Sequence, residues 1–302
     1  MFKLSVFLTL FCLCVTGVGA QQGNQTLVEA EKNIHSLLLK IANEESFVEK
    51  NNLNNELISL FYEALEHTDA FSFPFSTLTN IGNLKSDDNK LRIFTWNIPQ
   101  PQGQQKYFGF LMVNHPDSPK IYPLTDNRNL LEDPQNEITS PEKWHGALYY
   151  SIVEVKHSNK TLYTLLGVDL NNMFSTKRII EVISLDDEGK PLLGFPIFKI
   201  RNNVISRVIF EYSSRANMML SWEKDKQMLV FNHLMPLRPD FVGNYQFYVP
   251  DLSYDGFRFA NNYWEYVPDL DVRNANREKA TPINAPIENY EPGFIYAPNK
   301  LK

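Results

Sequence analysis

Hydrophobic and polar positions alternate most regularly between His145 and Leu234, and that stretch predicts short strands joined by tight turns. Ala147–Lys156 is rich in aromatic and β-branched residues, which suit a pleated, half-buried surface. The polar His157-Ser158-Asn159-Lys160 fits a hairpin loop, and Thr161–Val168 returns with Leu162, Leu166 and Val168 on one face. Phe174–Leu185 carries Ile179, Ile180, Val182 and Ile183. Thr176, Ile180 and Ile183 would also share one face of a helix capped at Ser175-Thr176. A strand is expected instead, because so many β-branched residues lose χ1 freedom on a helix.

Asp186-Asp187-Glu188-Gly189 closes the next turn, its glycine free to take a positive φ. Leu192–Ile200 follows as a strand, with Pro196 marking an edge or a bulge. Arg201-Asn202-Asn203 turns the chain, and Val204–Tyr212 alternates as a single strand. Met218–Trp222 and Met228–His233 pair across Glu223–Lys226. Loops this short suit antiparallel neighbours and leave no room for a parallel crossover. The expected fold is mainly β, α+β overall: an antiparallel meander forming a barrel or sandwich-like core.

Two helices should precede it. Thr26-Leu27-Val28-Glu29 matches a capping box, and Leu27, Ala30, Ile34, Leu37 and Ile41 follow on one stripe. A second helix is expected from near Asn52, with Leu53, Leu57, Phe61, Ala64 and Leu65 facing inward. Such a pair packs on its own core or, less commonly, offers a docking face to another protein. Leu91–Ile98 and Lys106–Val113 read as a hairpin, and the proline-broken His115–Pro141 as a long connection. Further on, Tyr248-Val249-Pro250-Asp251-Leu252 recurs letter for letter at Tyr266–Leu270. Between the two copies, Gly256–Ala260 should pair with Tyr263–Val267 across Asn261-Asn262. The chain therefore divides into a leader (1–20), a helical pair (21–75), a β domain (76–270) and an extended tail (271–302).

The leader has Lys3, an apolar run from Leu4 to Val18, and a small-residue site at Val18-Gly19-Ala20. That is the pattern of a secretory signal peptide. Cys12 and Cys14 both fall inside it, so the exported chain would hold no disulfide and no thiol. An exported protein without bridges fits a bacterial periplasm or exterior better than an animal one. Net charge is −6 with no basic run, which argues against nucleic acid and anionic membrane surfaces as partners. No later segment is apolar for long enough to span a bilayer.

Three stretches are candidates for binding. Asp169, Asn171 and Asn172, with Ser175, Thr176, Lys177 and Arg178 behind them, group polar atoms at a strand end and would suit a ligand or hard cation. The plainer expectation is Asx turns that bond their own backbone. Asp251, Asp255, Asp269 and Asp271 would converge if the two repeated segments lay side by side; otherwise they are solvated turn residues. Tyr254, Phe257, Phe259, Tyr263, Trp264 and Tyr266 would stack on sugars or peptides if exposed, but aromatics on strands are more often core. No two of the six histidines stand at metal-ligand spacing, and no nucleophile elbow, His-Glu-x-x-His or phosphate loop occurs. No metal or cofactor is implied, and no catalytic residue is singled out.

Leu165–Asn172, Arg178–Val182 and Tyr248–Asp251 together resemble a family of exported bacterial proteins of unknown function. The resemblance implies export from a bacterium and brings no activity or ligand. The expected role is binding or structural, at the cell envelope or outside the cell, with envelope glycan, peptide or protein as partner. The alternatives are a carboxylate-based hydrolase of envelope glycan or peptide, and a subunit of an envelope complex docked through the helices.

Overall fold

The structure, a computed structural model, describes residues 18–271. Two helices come first, α1 (Val18–Asn43) and α2 (Phe47–Leu65). The capping-box residues Thr26–Glu29 do not open α1, which is already helical at Val18. Residues 1–17 of the expected leader, and the tail beyond Asp271, lie outside the described residues. Likewise α2 starts at Phe47 rather than near Asn52. Ser46 caps it by accepting a hydrogen bond from the Glu49 amide at 3.4 Å. The predicted stripe holds: Leu27, Ile34, Leu37 and Ile41 are buried with Leu57, Phe61 and Leu65. None of the helices described is long and apolar enough to cross a membrane.

Strands β1 (Gly82–Lys85), β2 (Leu91–Pro99), β3 (Gln105–Val113) and β4 (Lys120–Thr125) make the first sheet in that order, antiparallel throughout. The hairpin at 91–113 is as expected. β4 is not: it lies in the proline-broken stretch His115–Pro141, where the sequence predicts a long connection. As an edge strand it tolerates Pro123, which needs no amide for the ladder on its open side.

The second sheet has β5 (Leu148–His157), β6 (Lys160–Asp169), β7 (Ser175–Leu185) and β11 (Val208–Ser213), with β8 (Pro191–Leu193) on the far end of β7. The third runs β10-β9-β15-β14-β13-β12. Its members are β9 (Phe198–Ile200), β10 (Asn203–Ile205), β12 (Leu220–Glu223), β13 (Met228–Pro236), β14 (Tyr248–Ala260) and β15 (Tyr263–Val267).

Two expected strands are each split by a change of sheet. Leu192–Ile200 breaks at Gly194, whose φ of +91° suits glycine alone, so β8 stays in the second sheet and β9 enters the third. Val204–Tyr212 breaks at Ser206-Arg207, whose amides both turn aside to the Gln135 carbonyl. The switch also places β9 parallel to β15, at Trp264↔Phe198, a pairing the short loops did not suggest.

Phe174–Leu185 is the deciding element, and it is a strand, antiparallel to β6, β8 and β11. Its neighbours explain why periodicity left a helix open. Ile179 and Ile183 point to the first sheet, packing with Leu91, Ile93 and Leu111. Ile180 and Val182 point to the third, packing with Leu229, Phe231 and Phe257. A strand covered on both faces is apolar in nearly every position and loses the alternation that identifies it. The helices cover the outer face of the first sheet, where Phe94, Trp96 and Phe110 meet Phe61, and Trp96 Nε1 donates to Asn54 Oδ1 at 2.8 Å. The architecture is thus helices, then three stacked sheets, a sandwich-like α+β core without a closed barrel.

Candidate functional site

The Asp169 cluster is tied up within the chain. Asp169 is fully buried, and its Oδ2 accepts from Arg128 Nη1 at 2.7 Å. The same guanidinium donates to both oxygens of Asp126, at 2.9 and 2.8 Å, and lies over the Tyr107 ring. Asp169 Oδ1 takes the Asn171 amide at 2.8 Å, and Asn172 Oδ1 takes those of Phe174 and Ser175. These are the Asx turns of the plainer expectation. Ser175 donates to Glu211 Oε1 at 2.6 Å, and Lys177 stands 3.9 Å from the same carboxylate. Arg178 lies apart, stacked over Tyr150, while Thr176 pairs with Tyr212 on β11. The two arginine-paired carboxylates are 43 positions apart, so no local spacing announces the network.

The repeated segments do bring carboxylates together, but around a histidine. His233 stands opposite a β-bulge in β14: between the Asn232↔Tyr254 and Leu234↔Pro250 pairs β13 has His233 alone, whereas β14 has Asp251, Leu252 and Ser253. A bulge re-aims a side chain. Here His233 Nδ1 lies 2.7 Å from Asp255 Oδ2. Asp255, itself 2% exposed, also accepts from the Tyr266 hydroxyl at 2.7 Å and the Asp269 amide at 3.1 Å. Asp251 instead folds onto Ser253, accepting its amide and hydroxyl. Asp271 lies beside the β12–β13 turn, its carbonyl 3.4 Å from Lys226 Nζ. Among the described residues no set of three His, Cys, Asp or Glu side chains is placed to hold a metal ion.

The hydrogen bond to Asp255, helped by the charges of Asp255, Asp251 and Asp269, raises the His233 pKa above its usual value. Burial pushes Asp255 up, but the bonds from His233 and Tyr266 outweigh it and leave the carboxyl low. The signs define a window. A raised histidine stabilises fully below its unfolded pKa and loses that contribution as pH rises through its folded one. A lowered aspartate stabilises above its unfolded pKa and loses it as pH falls. Replacing His233 with Gln should therefore cost most stability at about pH 5 to 6 and progressively less on either side. Urea melts of both proteins across pH 3 to 9 measure this; a flat difference would remove the ion pair from the explanation.

Trp264, a candidate for stacking only if exposed, is core instead: it is fully buried and donates to Thr164 Oγ1 at 3.1 Å. Phe257 is core with it, and Phe259 and Tyr266 pack against the same cluster. Tyr150 on β5, by contrast, does face outward, at 41% exposed. It is the extra residue of a second bulge, between Tyr149↔Gly167 and Ser151↔Leu166. The bulge shifts the alternation by one. Before it Ala147 and Tyr149 face the first sheet; after it Val153 and Val155 face the third. The Tyr149-Tyr150 doublet, breaking the period, is the sequence signal for this.

Tyr150 borders an open groove of about 640 Å³. The groove is lined by residues of the segment 75–84, by Leu148–Tyr150 of β5 and by Val168 of β6. Among the described residues, none of those lining it carries a charge. Both walls are fixed from behind. Glu31 of α1 accepts the Thr77 amide at 2.6 Å and its hydroxyl at 2.9 Å. Asn83 Nδ2 donates to the Pro74 and Phe75 carbonyls, and its Oδ1 accepts from Arg92. Opposite, the Tyr149 amide donates to Thr95 Oγ1, and the Tyr150 hydroxyl donates to the Leu220 carbonyl at 2.8 Å. Burial pushes the Tyr150 phenol up to about 12, so it stays neutral at physiological pH. Comparison with family models, curated proteins and solved structures finds no match.

Proposed function

We propose that this is an exported bacterial binding protein of the envelope or cell exterior, and that its ligand occupies the groove beside Tyr150. One observation carries the reading: an uncharged groove whose walls are held by hydrogen bonds from three different layers. Preorganised walls reduce the ordering cost of binding. The volume of about 640 Å³ lies within the usual range for ligand sites. The lining offers no carboxylate or imidazole for proton transfer, which favours binding over a carboxylate-based hydrolase at this place. The carboxylates gathered elsewhere are held by Arg128 and His233. A complex docked through the helices is less favoured, since the stripe from Leu27 to Ile41 is buried in the chain's own core.

Thermal-shift measurements against pools of neutral saccharides, uncharged peptides and divalent cations test this. A ligand binding only the folded form at 100 times its Kd adds about 2.7 kcal/mol and raises Tm. One of the first two pools should do so, and Thr79→Trp, which fills the groove, should abolish the effect. A shift from cations alone, or one that Thr79→Trp leaves intact, would argue against the groove. Export is tested separately: the protein should be recovered outside the cytoplasm with Gln21 as its first residue.

A further inference from the structure

The geometry points to a neutral oligosaccharide as the occupant of this groove, with the Tyr150 ring as its stacking platform. The inference rests on the groove being the binding site. Two properties of the walls select the ligand class.

The first is the polar lining. Ser76, Thr79 and Asn80 are exposed on one wall, and their side chains make no hydrogen bond among the described residues. Hydroxyl and amide groups both donate and accept, as sugar hydroxyls do. In a chain of net charge −6, a wall of this size without charge matches a ligand without charge. Facing it, Tyr150 is locked: its hydroxyl is bound to Leu220, and Arg178 stacks on its ring with the guanidinium carbon 5.6 Å from the centroid. Arg178 is itself held by the Met218 carbonyl at 3.0 Å. Tyr150 is still 41% exposed and lines the groove, where its ring can serve as a rigid π-face for the C–H face of a pyranose.

The second is what the walls refuse. An extended peptide docks by adding a strand to an open sheet edge. β1 and β5 are edges of their sheets, yet they close on one another. A Cβ on Gly82 would lie 2.5 Å from the Tyr149 carbonyl oxygen, and the Tyr149 amide is already bonded to Thr95. The bulge at Tyr150 interrupts the ladder at the next position. The backbone here has little to offer a peptide, whereas the side chains suit a saccharide.

The experiment is an amide-shift NMR titration of the full chain with neutral hexasaccharides of glucose, N-acetylglucosamine and mannose, and in parallel with an uncharged decapeptide. At least one sugar should move the amides of residues 76–84 and 148–151. Tyr150→Ala should weaken that binding about tenfold. Tyr150→Phe, which keeps the ring, should retain most of it, and Asn80→Asp, which charges the wall, should weaken it with Tm unchanged. If the peptide moves these amides and no sugar does, the groove stands as a site and the saccharide assignment fails. If neither moves them, both fail. Sugar-induced shifts confined to other surfaces, or binding indifferent to Tyr150→Ala, would also overturn the assignment.

Discussion

Arg207→Leu should lower stability by about 3 to 5 kcal/mol, a large share of what holds an ordinary domain folded. Arg207 and Glu181 are both fully buried, joined through Nε and Oε2 at 2.6 Å. Arg207 sits at the break between β10 and β11 and also donates through Nη1 to the Pro134 carbonyl, fastening the connection after β4 to the second sheet. The leucine variant leaves Glu181 charged in the core with only the Val182 and Gly194 amides for company. Because burial then raises the folded pKa of that carboxyl, the variant should regain stability as pH falls, opposite to the trend of an acid-labile protein. Adding Glu181→Leu should recover most of the loss, since a buried pair replaced whole costs far less than one broken. Urea melts at pH 5 and 8 report both effects. A single variant within 1 kcal/mol of the parent would show that the pair does not matter.

Arg92→Ala should cost about 3 kcal/mol and loosen the wall of the groove. The Arg92 side chain is 3% exposed and donates to the carbonyls of Ala70, Phe71, Phe73 and Pro74 and to Asn83 Oδ1. Its guanidinium also lies 5.2 and 4.7 Å from the ring centres of Phe75 and Phe94. Removing it strands carbonyls at the junction between α2 and the first sheet, where the helical pair joins the β-stack. Arg92→Lys should rescue little, because an ammonium cannot reach several carbonyls at once. Hydrogen exchange in residues 70–84 should quicken well beyond the change expected from global stability. Unaltered exchange there, with Tm lowered, would mean that Arg92 supports the core but not the wall.

What local pattern determines was legible. The Asn261-Asn262 turn, both residues at positive φ, and the Asp186–Gly189 turn lie where their residues placed them. So do the buried stripes of the two helices, though not their first residues, and the antiparallel run from β5 to β7. What depends on a distant partner was not. β4 was hidden by its prolines, and the sheet switches at Gly194 and Arg207 follow from contacts with Glu137 and Gln135 rather than from their neighbours in sequence. Asp255 and Asp269 were singled out for a convergence that does occur. Its centre, His233, has no such signal, because what sets it beside Asp255 is a bulge at residues 251–253 of the neighbouring strand β14. Trp264 and Tyr150 illustrate the same limit: both are aromatics on strands, yet Trp264 of β15 is fully buried, while Tyr150, the extra residue of the β5 bulge, faces solvent.

The stack of three sheets rests on β7 being covered on both faces, and the placing of the groove walls follows from it. Residue-resolved hydrogen exchange in the native protein tests this most directly. The amides of Ile179–Ile183 should exchange only through global unfolding, and far more slowly than those of the edge strands β4 and β12. Exchange of Ile179–Ile183 at edge-strand rates would contradict it, because a strand buried between two sheets has no local route to solvent.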